Sequence, residues 1–126
     1  MILDDLFAAA AAFDTDRLAT LMHPDVRFDE MPNALTPAGN AYGFDGALAG
    51  FRKGRETLSA QRYDVHSTLE DGDKIAARVT WRGTLAASGQ ELTAHIATFT
   101  QVRDGRIFRH ATYDCYEPLA APITAP

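Results

Sequence analysis

Hydrophobic positions change rhythm along this chain. Up to about residue 60 most apolar residues recur at helical intervals, and beyond it they alternate as strands do. Residues 2–12 read as a helix, with Leu3, Leu6, Phe7 and an alanine run on one side. Asp14-Thr15-Asp16 is a start signal for a short second helix through Met22, which Pro24 ends. Residues 25–30 read as a strand. Pro32, Asn33, Pro37, Gly39, Asn40 and Gly43 make the following segment a loop. A third helix covers about 45–59, with Leu48, Phe51 and Leu58 as its apolar positions. Four strands then follow at 61–69, 74–85, 91–102 and 106–116. Asp71-Gly72-Asp73, Ser88-Gly89 and Asp104-Gly105 supply the turns between them.

Helices first and an antiparallel meander afterwards is an α+β pattern. Four long neighbouring strands must twist. If the sheet also curls, the N-terminal helices close its open side and leave a pocket between the layers. The expected architecture is a strongly curved, mostly antiparallel sheet forming a cone with an internal pocket. Residues 1–117 make one domain, and 118–126, with three prolines, form a loose tail.

Composition narrows the function. The 126 residues are 46% hydrophobic, enough for one core, and carry a net charge of −5 with a pI near 5.2. That balance argues against nucleic acid as a partner. Arg52, Lys53 and Arg55 on the third helix read as a solvated face. The single Cys115 allows no internal disulfide. The N-terminus is acidic where a signal peptide is basic, and the Ala8–Ala12 run is too short to span a bilayer. A cytoplasmic protein without membrane contact is expected. His23, His66, His95 and His110 lack metal-ligand spacing, and no nucleophile elbow, P-loop or dinucleotide fingerprint occurs. Neither metal nor cofactor is expected.

Candidate chemistry comes from acids on apolar faces. In Val26-Arg27-Phe28-Asp29-Glu30, strand alternation puts Glu30 with Val26 and Phe28, so all three should look inward. A buried carboxylate finds a partner or its pKa rises, and either suits a general acid or base. A strand-end carboxylate that turns to solvent is the competing reading. His95 shares parity with Ala97 and Phe99, which makes it either a satisfied core histidine or a proton carrier. On the last strand Ile107, Ala111, Tyr113 and Cys115 form one face. Phe108, His110, Thr112, Asp114 and Tyr116 form the other, and Asp114 is ambiguous between an inward acid and a structural ion pair. Arg78 and Thr80 oppose Ile75, Ala77, Val79 and Trp81, and either set could line the pocket. If Arg78 points in, it is the natural partner of Glu30, and Val79 and Trp81 then mark an outer surface for a second copy of the chain. Tyr42 and Asn33 could supply hydrogen bonds at the pocket mouth.

These features together resemble the nuclear transport factor 2-like superfamily, in its SnoaL-like polyketide cyclase and limonene-epoxide hydrolase branches. The resemblance covers about residues 2–117. It rests on the helical start, His23-Pro24-Asp25-Val26, Phe28-Asp29-Glu30-Met31-Pro32, and Asp104-Gly105-Arg106-Ile107 followed by Tyr113-Asp114. It implies a cone with a deep apolar pocket and a homodimer through the sheet. Matching the epoxide hydrolases puts Phe28 at their Tyr, Glu30 at their Asn, and Arg78, Thr80 and Cys115 at their Asp-Arg-Asp set, where only the arginine survives. The match supports Glu30, Arg78 and His95 pointing inward. In the cyclases an acid on the last strand drives aldol ring closure. It matches Cys115, one residue from Asp114, so a local bulge is needed to bring Asp114 inside. Ketosteroid isomerases of this fold carry a basic carboxylate close to the position of Glu30.

The resulting expectation is a cofactor-independent acid/base enzyme on a small apolar carbonyl compound, of isomerase or aldol cyclase type. Glu30 is the expected base, with His95 and Asp114 as donors. Phe28, Asn33, Tyr42, Arg78, Thr80, Phe99, Tyr113 and Cys115 are the expected substrate contacts. The alternative is a dimeric module that holds a hydrophobic ligand without turnover.

Overall fold

The structure, a computed structural model, describes residues 1–118. All of the expected loose tail except Pro118 therefore lies outside the described residues. Three helices, α1 (Ile2–Ala11), α2 (Thr15–Leu21) and α3 (Phe44–Thr57), pack on one curled sheet. Its strands are β1 (Met22–Glu30), β2 (Asn40–Tyr42), β3 (Leu58–Asp71), β4 (Lys74–Leu85), β5 (Glu91–Arg103) and β6 (Arg106–Tyr116). Their order is β2-β1-β6-β5-β4-β3. β1 runs parallel to β6, and every other neighbouring pair is antiparallel.

Local chemistry explains most boundaries. The Asp14 side chain accepts from the Arg17 backbone N–H and caps α2. Asp104-Gly105 turns β5 into β6 with both residues at positive φ, 54° and 72°, as a tight hairpin requires. Two details depart from the sequence reading. The breaker-rich loop contains β2, a three-residue strand that pairs Phe28 with Tyr42 and Glu30 with Asn40. β1 also begins at Met22, so Pro24 lies inside a strand. The β1–β6 register is irregular between Met22 and Arg27, which frees Pro24 from a ladder bond it could not make.

The core fills the concave side of the sheet. Leu3, Leu6 and Phe7 of α1, Leu18 of α2 and Ala47 of α3 meet Val26 and Phe28 of β1, Ile75, Ala77 and Val79 of β4, and Ile107 of β6. Burying a side chain of Leu, Ile or Phe size contributes about 1.5–3 kcal/mol, so this contact is what folds the helices onto the sheet. A second cluster sits around Trp81, Leu92 and Ala94. Trp81 is 8% exposed and its indole N–H donates to Gln61 Oε1 at 2.9 Å. The expectation that Val79 and Trp81 form an outer surface is thereby corrected: both belong to the concave side.

α3 carries three glycines, Gly46, Gly50 and Gly54, inside 14 residues. Each costs a helix interior about 0.8–1.0 kcal/mol relative to alanine. Among the described residues no helix is long and apolar enough to cross a membrane.

Candidate functional site

Between the helices and the sheet lies a cavity of about 460 Å³. Ligand sites commonly occupy about 300–1,000 Å³, so a small organic molecule fits. Six aromatic residues line the walls: Phe7, Phe28, Phe51, Tyr42, Tyr63 and Tyr116. The polar groups lie mainly on β1 and β6, where Glu30 is joined by His110, Thr112 and Asp114. Among the described residues lining it there is no lysine or arginine.

Glu30 looks inward, as strand parity requires, and it has found a partner. The Tyr42 hydroxyl donates to Glu30 Oε1 at 2.8 Å, and the Tyr42 ring stacks on Phe28 at 5.3 Å. β2 delivers Tyr42 to that place through the Phe28–Tyr42 pairing. Gly46 protects the arrangement from the helix side, because a Cβ there would sit 2.7 Å from Tyr42 Cβ. Burial and the charge of Glu30 push the Tyr42 pKa upward, so the phenol remains a donor.

Asp114 also faces the cavity, and the reason is one extra residue. Val102 pairs with Ile107, but Gln101 pairs with Arg109, so Phe108 is a bulge. Ile107 is fully buried in the core. Without the bulge its face would continue through Arg109, Ala111, Tyr113 and Cys115. With it, His110, Thr112, Asp114 and Tyr116 take the inward side. Phe108 is held between the Arg103 and Arg109 guanidinium groups, each 3.8 Å from its ring centre.

The Asp114 carboxyl is pushed up from 3.8 to about 6, first by burial and then by the charge of Glu30, with a Thr112 hydrogen bond pulling the other way. Its Oδ1 is buried without a hydrogen-bond partner. Tyr63 and Tyr116 are raised too, by burial and by the charges of Asp114 and Glu30, so both phenols stay protonated. His110 is pushed the opposite way, from 6.5 down to about 4, by burial. It is a neutral imidazole at physiological pH, with Nδ1 at 2.8 Å from Thr100 Oγ1.

Several expected contacts point elsewhere. On β5 the inward residues are Leu92, Ala94, Ile96 and Thr98, so His95 and Phe99 lie on the convex side. His95 is exposed, with Nε2 at 2.7 Å from Glu117 Oε2. Phe99 is 53% exposed, and it meets Tyr113, 47% exposed, edge to face at 5.7 Å. Cys115 is exposed as well. On β4 the apolar set Ile75, Ala77 and Val79 took the core, which sends Arg78 and Thr80 outward. Thr80 Oγ1 instead meets His66 Nε2 at 2.7 Å. Asn33 spends its side chain on its own turn. It donates to the Met31 carbonyl and accepts from the backbone N–H groups of Leu35 and Thr36. The epoxide-hydrolase correspondence thereby loses its last member, Arg78.

The sequence reading named Phe28, Glu30, Tyr42 and Asp114, which the fold brings together. It did not assign Tyr63, His110 or Tyr116 to the site. His110 and Tyr116 share the face of Asp114, so they become legible once that face is known to be inward. Tyr63 had no comparable signal.

The comparisons agree with this fold. The SnoaL-like domain family matches residues 3–110, a span that stops before Asp114. Among solved structures, a loop-truncation variant of IdmH is 26% identical, covers 90% of this chain and 89% of its own, and has a TM-score of 0.74. Wild-type IdmH from Streptomyces antibioticus, a candidate polyketide cyclase, is 24% identical with coverages of 90% and 88% and a TM-score of 0.75. An LEH-like epoxide hydrolase of M. tuberculosis is 14% identical with coverages of 92% and 80% and a TM-score of 0.75, a likeness of fold. No curated protein matches the chain.

Proposed function

Because this chain belongs to the SnoaL-like domain family, we propose that it is a cofactor-independent acid/base enzyme acting on a small apolar carbonyl compound. One observation carries the reading: a carboxyl group on the cavity wall, Asp114, is poised near pH 6 with one buried oxygen unpartnered. A proton carrier works best when its pKa lies close to the working pH. Asp114 therefore replaces Glu30 as the proton carrier, and Glu30, fixed by Tyr42, tunes it through its charge.

Asp114 as carboxylate takes a proton from the carbon next to the carbonyl. The electron pair of that C–H bond moves to the carbonyl oxygen and gives an enolate. The protonated phenols of Tyr63 and Tyr116 are the donors available to that oxygen. Two outcomes balance. In an isomerisation, Asp114 returns the proton to a different carbon of the conjugated system. In an aldol closure, the enolate carbon attacks a second carbonyl of the same molecule, and the new alkoxide recovers the proton from Asp114. Neither needs an oxidant or reductant.

The test is hydrogen exchange next to the carbonyl, followed by proton NMR in deuterium oxide over a panel of cyclic enones and β-keto esters. Accelerated exchange that Asp114→Asn abolishes supports the reading. Binding of the same compounds without faster exchange overturns it in favour of a ligand-holding module.

Self-association belongs to the same reading, on a different surface from the one expected. Leu69, Phe99 and Tyr113 are the most exposed large apolar groups on the strands, at 76%, 53% and 47%, ahead of Val65 at 37%. We place the homodimer contact on the convex face at Phe99 and Tyr113. Sedimentation should show a dimer for the wild type and a monomer for Phe99→Arg, and a monomeric wild type ends the idea.

A further inference from the structure

An ionised Asp114 needs donors, and the cavity offers no cation. No lysine or arginine lines it among the described residues, and Glu30 adds a like charge nearby. The other titratable residues on its walls are Glu30, Tyr42, Tyr63, His110, Tyr116 and Asp29, whose side chain is turned to Arg27. The described residues of α1, α3, β4 and β5 bring no titratable side chain to it. Tyr42 is committed to Glu30 and the neutral His110 to Thr100, each at 2.8 Å. Tyr63 and Tyr116 are coupled to Asp114 through charge alone. What can stabilise a second carboxylate here is an aliphatic hydroxyl.

Two such hydroxyls flank the Asp114 carboxyl on the sheet. Thr112, on the same strand and face, hydrogen-bonds it. Asp114 Oδ1 still has no partner, so that bond falls on Oδ2. The second hydroxyl belongs to Thr98 of β5. Thr98 pairs with Thr112 and Ile96 pairs with Asp114, which makes Thr98 and Asp114 diagonal neighbours on the inward face. Diagonal neighbours lie about 7–8 Å apart, less between Cβ atoms, a gap that a hydroxyl and a carboxyl close by reaching toward each other. Thr98 is 1% exposed, and its Oγ1 has no hydrogen-bond partner. Buried hydroxyls are normally satisfied. Thr100, the next inward residue of β5, obeys that rule through His110. Among the described residues, Thr98 Oγ1 and Asp114 Oδ1 are the two buried side-chain polar atoms without a partner, and they are neighbours.

We propose that Thr98 is a positioning residue for Asp114: its hydroxyl donates to Oδ1 when the carboxyl ionises and holds the carboxylate with Oδ2 turned to the substrate. The proposal rests on Asp114 being the proton carrier, and it deepens that reading. While the carboxyl keeps its proton, the contact stays open. Loss of the proton makes Oδ1 a strong acceptor, and the hydroxyl hydrogen rotates to meet it. Catalytic hydrogen bonds are often long in a ligand-free site and tighten later. Thr112 and Thr98 then hold one oxygen each. A carboxylate oxygen has two lone pairs, so Oδ2 keeps one for the substrate proton.

The experiment follows the Asp114 carboxyl carbon by NMR across pH in the full chain, made with isotope-labelled aspartate and assigned with Asp114→Asn. Deuterium exchange of cyclohexenone is measured on the same proteins: wild type, Thr98→Val, Thr98→Ser and Thr98→Ala. Valine keeps the shape of threonine and drops the donor. Thr98→Val should raise the Asp114 midpoint by about one pH unit, the size expected for one lost hydrogen bond to a charged group. The acid limb of the exchange profile should move up with it. Thr98→Ser keeps the hydroxyl and should return both close to wild type. Thr98→Ala should repeat the valine result, and it decides the matter if the valine variant does not fold. The proposal is overturned if the midpoint stays in place without the hydroxyl, as it would for a purely structural threonine, or if serine shifts it as far as valine does. Failure of the acid/base reading looks different: the midpoint responds to Thr98 while exchange stays at the background rate in every protein.

Discussion

The two faces of β6 carry alternate residues of one short sequence into opposite environments. Asp114 faces the cavity and its carboxyl rises to about 6, whereas its neighbour Cys115 is exposed on the convex side. The same holds for His110 against Arg109, and for Tyr116 against Tyr113. What separates a candidate proton carrier from a surface residue is therefore not residue type. It is the single extra residue, Phe108, that resets the alternation.

The sharpest way to break this comparison is to change the parity between Ile107 and His110. Deleting Phe108 alone leaves a regular strand with the same inward residues, so that variant should fold and keep its exchange activity. Deleting Phe108 together with Arg109 should turn His110, Thr112, Asp114 and Tyr116 outward together. The expected outcome is loss of cooperative unfolding by circular dichroism and loss of exchange activity, and a folded, active double-deletion variant would falsify the role given to strand parity.

Asp114→Asn keeps the fold and removes the proton carrier. Exchange should fall by about 10²–10⁴-fold. Stability should move the other way. The native carboxyl holds its proton up to about pH 6, against 3.8 when unfolded, so the folded state loses stability as pH rises through that window. Thermal melts of Asp114→Asn should therefore exceed wild type above pH 6 and converge with it near pH 3.

His110 supplies the opposing slope. Its native pKa of about 4 lies below the ordinary 6.5, so the unfolded chain takes up the proton first and stability is lost as pH falls through that range. The two windows overlap with opposite sign. Wild-type melting temperature should change little between pH 4 and 6. Asp114→Asn should then decline on acidification, and His110→Gln should instead gain. Parallel curves for all three proteins would sink the assignment of both groups.

Smaller effects separate tuning from carrying. Glu30→Gln removes a charge that raises the Asp114 pKa, so the acid limb of the rate profile should move to lower pH while activity persists. On the convex face, His95→Gln and Cys115→Ser should leave exchange within about twofold of wild type. A larger loss would mean that the outer face reaches the chemistry.

Much of the architecture could be read directly. The switch from helical to alternating spacing, the Asp14 cap and the Asp104-Gly105 turn are local signals, and each marks an element close to its observed place. Glu30 was legible too, because Val26 and Phe28 beside it leave one sensible inward face. β4 shows the limit. Its two faces, Arg78 with Thr80 and Val79 with Trp81, were separated correctly by alternation, but alternation does not say which one a curved sheet turns toward its helices. The helices decided it by burying Ile75, Ala77 and Val79. The same ambiguity sent His95 and Phe99 to the wrong side.

Sequence alone determined the element order, the α+β class and the acid at the end of the first strand, because each depends on neighbours a few residues away. Tertiary structure alone decided that Asp114 and not Cys115 enters the cavity, that Tyr42 reaches Glu30, and that Tyr63 joins them. Those outcomes depend on strand register and on which face the helices cover. Both are set by contacts between distant segments, where one residue of slip exchanges every inward side chain for an outward one.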